Sequence, residues 1–421
     1  RLAREPAVLC EALQRVGELE VLLGRTHDAI AAYREAIDVA PSRSLRAHAW
    51  FGLASALRVV DRYEEALDAL DRAGTALEGL DDPALQARIW SLRGNLHFPR
   101  GELDECLAAH RKAGDYAKAA RSPVELARAL GGLGDAWYQR GRMQSARDHY
   151  ERCVSNCVEH RLTGLELSYL PMLACTRAYC GPIADALRDG EAAAEKARRI
   201  ADVRADMLAN DVNASLHLYT GNFARAQAAA ERTIELARRL GARRFEIEAS
   251  GIRGLALVER GQHDHGLAEI KAAAEAACDD ASSYCAPWML GVLAHALPDP
   301  GARRAALERG AAMLSERSVS HNHFEFYRFA IDVALEEGWW HAAVEYAAAL
   351  EAYTNEERLP WSDIVIERAR ALVAFGQGDR SPTLAARLRA VAQQTTLMGF
   401  GALLPALSSA MKHCPSLPAD D

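Results

Sequence analysis

Residues 131–141 read GGLGDAWYQRG. The closing glycine of this stretch is one rung of a ladder, because Gly101, Gly141, Gly181, Gly221, Gly261 and Gly301 stand forty residues apart. At a glycine frequency of about 7%, six in register arise by chance about once in ten million starting points. A structural repeat follows. Gly24 and Gly338 lie thirty-seven residues outside Asp61, which takes the glycine's place, and Gly301. The repeat thus spans most of the chain, and any function must be one that a repeat array can perform.

Working outward from each rung fixes the unit. Seven residues before the turn stand Gly17, Ala54, Gly94, Gly134, Ala174, Ala214, Gly254 and Ala294, and five after it Ala29, Ala66, Cys106, Ala146, Ala186, Ala226, Gly266 and Ala306. Two helices that cross closely need small side chains at the crossing, and this double column supplies them. With large residues early in the first helix (Leu13, Trp50, Trp90) the pattern is that of the tetratricopeptide helix pair, lengthened from thirty-four residues to about forty. The expected fold is all-α, a right-handed α-α superhelix of helix-pair repeats. Turn glycines are expected to close each first helix in the left-handed conformation.

The regular repeats are expected over 1–318, about eight units, with divergent repeats and a terminal helix over 319–421 continuing the same solenoid. A ninth unit is aligned on Tyr327, Gly338, Trp340 and Ala343, and a degenerate tenth on Ala369, Leu372 and Gly376. Thr396 to His413 reads as a last helix, and Pro415 to Asp421 as a frayed tail.

Composition narrows the function. Half of the 421 residues are apolar and the formal net charge is -8. Clusters such as Lys196, Arg198 and Arg199 read as solvated helix ends, so no nucleic-acid partner is expected. Nine cysteines without framework spacing imply a reducing compartment, taken as the cytoplasm. No apolar run reaches the length of a spanning helix, and the start lacks a signal segment, so no membrane association is expected. The chain begins at Arg1 without a polar capping helix, which suggests a piece of a longer polypeptide.

Chemistry-bearing motifs are few. No Gly-Lys pair exists to build a phosphate loop, and neither a zinc-protease helix, a calcium loop nor a nucleophile elbow is present. Cys153 and Cys157 lie one turn apart, but Cys153 occupies a small core position of its repeat, which favours packing over metal binding. His263 with His265 reads as a polar turn, and His321 with His323 as the capped, packed start of a helix. The expectation is therefore no catalytic, cofactor-binding or metal-binding residue in this chain. What remains is a partner-binding groove on the first helices of the pairs. Its expected residues are His48, Arg58, Arg88, Asn95, Phe98, Arg128, Asp135, Tyr138, Gln139, Tyr179, Asp211, Ser215 and Tyr219. Amide, charged and aromatic groups of this kind suit a protein or peptide partner.

Several stretches go beyond the general repeat: 93–101 (RGNLHFPRG), 131–141, 240–245 (LGARRF), 319–327 (VSHNHFEFY) and 359–363 (LPWSD). They resemble the C-terminal tetratricopeptide region of large bacterial class III adenylate/guanylate cyclase proteins with an AAA-type or STAND-type ATPase module. That resemblance implies a sensor or scaffold role, with the upstream ATPase and cyclase domains as partners in the same polypeptide. The catalytic residues of such proteins match nothing here. Two other parents suit the same array: a STAND-type transcriptional regulator and a free-standing scaffold. A small-molecule sensor closing around His321, Tyr327 and Trp361 is a third reading.

Overall fold

The computed structural model describes residues 5–279, 285–314 and 318–414. Among them twenty-one α-helices and no strand occur, and the first twenty helices form ten pairs. The first four pairs are α1 (Pro6–Leu22) with α2 (Thr26–Val39), α3 (Arg43–Val59) with α4 (Tyr63–Leu77), α5 (Pro83–His97) with α6 (Leu103–Ala119), and α7 (Pro123–Gln139) with α8 (Met143–Glu159). Then come α9 (Thr163–Cys180) with α10 (Ile183–Arg199), α11 (Val203–Thr220) with α12 (Phe223–Leu240), and α13 (Arg243–Glu259) with α14 (His263–Asp279). The last three pairs are α15 (Ala286–Ala296) with α16 (Pro300–Met313), α17 (Ser320–Glu336) with α18 (Trp340–Thr354), and α19 (Pro360–Gly376) with α20 (Pro382–Met398). A final helix, α21 (Leu404–Lys412), follows a short 3-10 turn at Gly401–Leu403. None of the described helices is long and apolar enough to cross a membrane.

The glycine ladder performs its expected task at most rungs. Gly24, Gly101, Gly141, Gly221, Gly261 and Gly338 all have φ between 68° and 84°, and Asp61 takes the same conformation at 56°. Two rungs depart from the expectation. Gly181 is not left-handed, and Gly301 sits in the first turn of α16, where Asp299 caps the helix and Pro300 opens it. A second ladder, offset by twenty residues, closes the second helix of four consecutive pairs, α6, α8, α10 and α12. Its rungs Arg121, Arg161, Ala201 and Gly241 have φ from 49° to 65°. Three of those four are not glycine, each at a cost of about 1–2 kcal/mol that the packed pairs must offset.

The terminal helix is also revised. Gly399 caps α20 in the left-handed conformation, so helix 396–413 is in fact the end of α20, a 3-10 turn and α21, with Pro405 in the first turn of the last. The expected tail from Pro415 onward lies outside the described residues.

The chain forms two compact units, Arg1–Ala136 with Arg152–Leu162, and Trp137–Glu151 with Thr163–Asp421. In the first unit one large side chain of a second helix plugs the gap between two first helices. Tyr33 fills the space over Gly17 and Gly52, and His110 that over Gly94 and Gly132, leaving no room for a Cβ at any of the four. The second unit uses the same device, as where Met289 fills the space over Gly251, and at one crossing also brings backbones together: a Cβ on Gly266 would lie 2.5 Å from the carbonyl oxygen of Gly254. Substitution there moves helices, not a side chain.

The second unit also folds back on itself. Its late helix α19 packs on its early helix α9, and the turn at Gly401–Leu403 packs on α11. Ala402 N lies 3.5 Å from the Cβ position of Gly221, so the end of the unit rests on a ladder turn. Consequently the first-helix faces of this unit are covered by protein.

Candidate functional site

Every expected groove residue lies on the first helix of a pair or, for Phe98, in the 3-10 turn that ends one. Their surroundings divide with the units. In the first unit Arg58, Asn95 and Arg128 are exposed, and His48, Arg88, Phe98 and Asp135 are half-buried. Three of these residues are held by local contacts. His48 Nδ1 lies 3.1 Å from the carbonyl oxygen of Ser44, the Arg88 guanidinium sits 4.3 Å above the Phe51 ring, and Arg128 pairs with Glu125 at 2.7 Å.

In the second unit the expectation of a solvated groove is corrected for four residues: Gln139, Tyr179, Asp211 and Tyr219 are buried. For the two tyrosines the cause is the back-folding of α17, α19 and the segment after Gly399. Tyr179 packs against Phe324 and Trp361 with ring centroids 4.9 and 5.4 Å away, and Tyr219 meets Phe400 edge-on. The two tyrosine hydroxyls lie 3.0 Å apart, and Tyr219 donates onward to Glu325. Burial raises both hydroxyls well above the usual tyrosine range, so this chain of hydrogen bonds keeps its protons. Tyr138 is half-buried, its hydroxyl 3.1 Å from Nδ1 of His321; Ser215 is half-buried as well.

The two histidine pairs fare differently. His265 is exposed and salt-bridged to Glu269 at 3.2 Å. His323 stacks on Tyr353 at 4.1 Å, whereas no side chain caps α17, because Asn322 Oδ1 accepts from the backbone N–H of Trp288 instead. Packing, not capping, explains that motif. Cys153 is buried and donates to the carbonyl of Ala127 at 3.2 Å. Among the described residues no three His, Cys, Asp or Glu side chains converge as a metal site.

Apart from Asp211, the residues that sequence reasoning passed over are the buried ionisable groups of the second unit. Arg368 pairs with Asp332 at 2.5 Å and donates to the carbonyl of Leu403 at 3.1 Å; His295 Nε2 lies 2.9 Å from Glu259. Burial works against a charged His295, yet the bond to Glu259 and the charges of Glu336 and Glu259 outweigh it, so its pKa is raised. Burial pushes the Glu325 carboxyl up despite Arg328 and the Tyr219 hydroxyl. Asp211 is raised well above the carboxylate range, by burial first and the Glu248 charge second, and Glu248 by burial to about 7. One signal was available: Arg328 and Asp332 stand one turn apart within the otherwise apolar FAIDVAL run and its approach.

Comparison with known proteins agrees with this architecture. The tetratricopeptide repeat family matches residues 11–43. No curated protein sequence matches the chain. Among solved structures, the apo form of RapI is similar over 83% of this chain and 98% of its own, with 11% identity and a TM-score of 0.59. The apo form of the quorum sensor NprR from B. thuringiensis covers 82% and 97%, at 11% identity and a TM-score of 0.57. NprR in complex with its cognate peptide NprX gives 80% and 96%, 12% and 0.56. The class is thereby defined: an all-α, tetratricopeptide-like array of helix pairs.

Proposed function

We propose that the chain is a non-catalytic regulatory array that binds a protein or peptide partner along the first-helix face of its first unit. The observation that carries this reading is the accessible run Arg58, Asn95 and Arg128, flanked by half-buried His48, Arg88, Phe98 and Asp135. Mixed charge, amide and aromatic groups on a rigid helical ridge are what holds an extended chain. A peptide complex of the similarly folded NprR supports the same use of such an array. The partner we favour is an ATPase and nucleotidyl cyclase segment upstream in the same polypeptide, on the strength of the non-consensus stretches at 93–101, 240–245, 319–327 and 359–363. A STAND-type transcriptional regulator and a free-standing scaffold are the competing parents.

The test has two arms. Reading the upstream frame is expected to reveal a phosphate loop and a cyclase domain with paired metal-binding aspartates; a DNA-binding domain there sinks the cyclase parent. The second arm measures binding of the separately produced upstream segment to the R58A/N95A/R128A variant. Affinity is expected to fall about tenfold or more with helicity unchanged. Equal binding removes this face from consideration.

A further inference from the structure

First helices of the second unit, with residues of α12, α18, the 3-10 turn and α21, line a partly open cavity of about 450 Å3, within the size range of small-molecule sites. Its floor is one stripe of α17, namely Arg328, Phe329, Asp332, Leu335 and Glu336. At 1.5 Å per residue that stripe runs about 12 Å. Leu372 and Phe375 of α19 and Leu218 of α11 form apolar walls.

The charges around the cavity can be sorted by whether they are satisfied. Asp332 has Arg368, Glu259 has His295, Glu336 has Arg303 at 2.9 Å, and Glu325 accepts from the Tyr219 hydroxyl. Arg328 has its charge opposed by Glu325 but is the exception in hydrogen bonding. It is 7% exposed, its Nη1 lies 3.5 Å from Glu325 Oε2, and neither its Nε nor its Nη1 has an acceptor in hydrogen-bonding geometry. A buried guanidinium with open N–H donors calls for an acceptor, most of all a charged one. His295 adds a second open group: its Nδ1 has no hydrogen-bond partner and stands 3.9 Å from Glu336. Both groups border one ring, since the Arg328 guanidinium lies 4.6 Å and the His295 ring centroid 5.6 Å from the centre of Phe329.

We propose that this cavity binds a compact organic acid, with its carboxylate on Arg328 and His295 and its apolar body against Phe329, Leu372 and Phe375. A singly charged carboxylate fits better than a phosphate. Glu325, Asp332 and Glu259 surround Arg328, and their summed repulsion weighs doubly on a dianion. The site is separate from the first-unit face and does not depend on partner binding there.

Titration calorimetry of the whole chain with 4-phenylbutyrate, 4-phenylbutyramide and phenyl phosphate tests the proposal. Saturable binding of the acid is expected, with the neutral amide and the phosphate about tenfold weaker or worse. R328Q is expected to weaken the acid about tenfold or more. Ala406→Phe leaves Arg328 intact and fills the cavity from α21; it is expected to abolish binding with an unchanged circular dichroism spectrum, and it decides the matter if R328Q fails to fold. Absence of saturable acid binding up to about 10 mM overturns the site. So does wild-type affinity in a folded R328Q or in A406F, or tighter binding of the phosphate or the amide than of the acid.

Discussion

One column of the repeat meets two fates. Asn95 is exposed and Asp135 half-buried on the first helices of the first unit, yet forty-residue steps along the same column lead to Cys175, Ser215, Leu255 and His295 in the second. Leu255 is 3% exposed and His295 is bonded to Glu259 inside the unit. Local helix geometry is the same throughout. What differs is the cover: α17, α19 and the 3-10 turn after Gly399 lie over the first-helix faces of the second unit. An identical repeat position is therefore exposed at Asn95 and buried at Leu255, and the residues that decide it are far away in sequence.

Two substitutions try this contrast at its strongest points. Arg368→Ala leaves the Asp332 carboxylate buried without its cation and frees the carbonyl of Leu403. Breaking a buried pair from one side costs about 3–5 kcal/mol, so urea unfolding followed by hydrogen exchange is expected to show the second unit opening first, with the first unit unmoved. Equal loss in both units would contradict the separate cores described here. Tyr219→Phe removes less, the hydroxyl that donates to Glu325 and meets that of Tyr179. The expected loss is about 1–2 kcal/mol in the second unit, read from the denaturation midpoint at constant m. No change would mean that Arg328 alone satisfies Glu325.

The register of the pairs was legible because a turn glycine and two small crossing residues recur at fixed offsets, and each has a local steric cause. The second ladder was not, since Arg121, Arg161 and Ala201 adopt a left-handed conformation that their side chains do not announce. Assigning Tyr179 and Tyr219 to a solvated groove failed for a related reason. Tyr219 meets Glu325 106 residues downstream, and Trp361 and Phe400 lie farther still, so no local periodicity could reveal the cover. Asn95, Arg58 and Arg128 needed no such knowledge, because nothing in their own unit packs over them.

The smallest expected effect separates the units by the sign of their pH dependence. In the first unit His110 is wedged between Gly94 and Gly132, 2% exposed, and burial, with His97 second, lowers its pKa to about 4. The folded state holds the neutral ring, so its contribution is complete above the ordinary value of 6.5 and is lost as pH falls toward 4. Glu248 in the second unit is raised from 4.5 to about 7, chiefly by burial, with Arg244 opposing. There the folded state holds the proton, and the contribution, present below 4.5, is lost as pH rises through 7. Asp211, Glu325 and His295 act in the same sense, while His217, lowered by burial, acts against them. Hydrogen-exchange protection, corrected for intrinsic rates, is expected to fall in α5 and α6 and to rise in α11 and α13 between pH 8 and pH 5, each by about 1 kcal/mol. His110→Phe is expected to flatten the first response and Glu248→Gln the second. Parallel changes in both units would mean that the buried titrating groups do not set their stability.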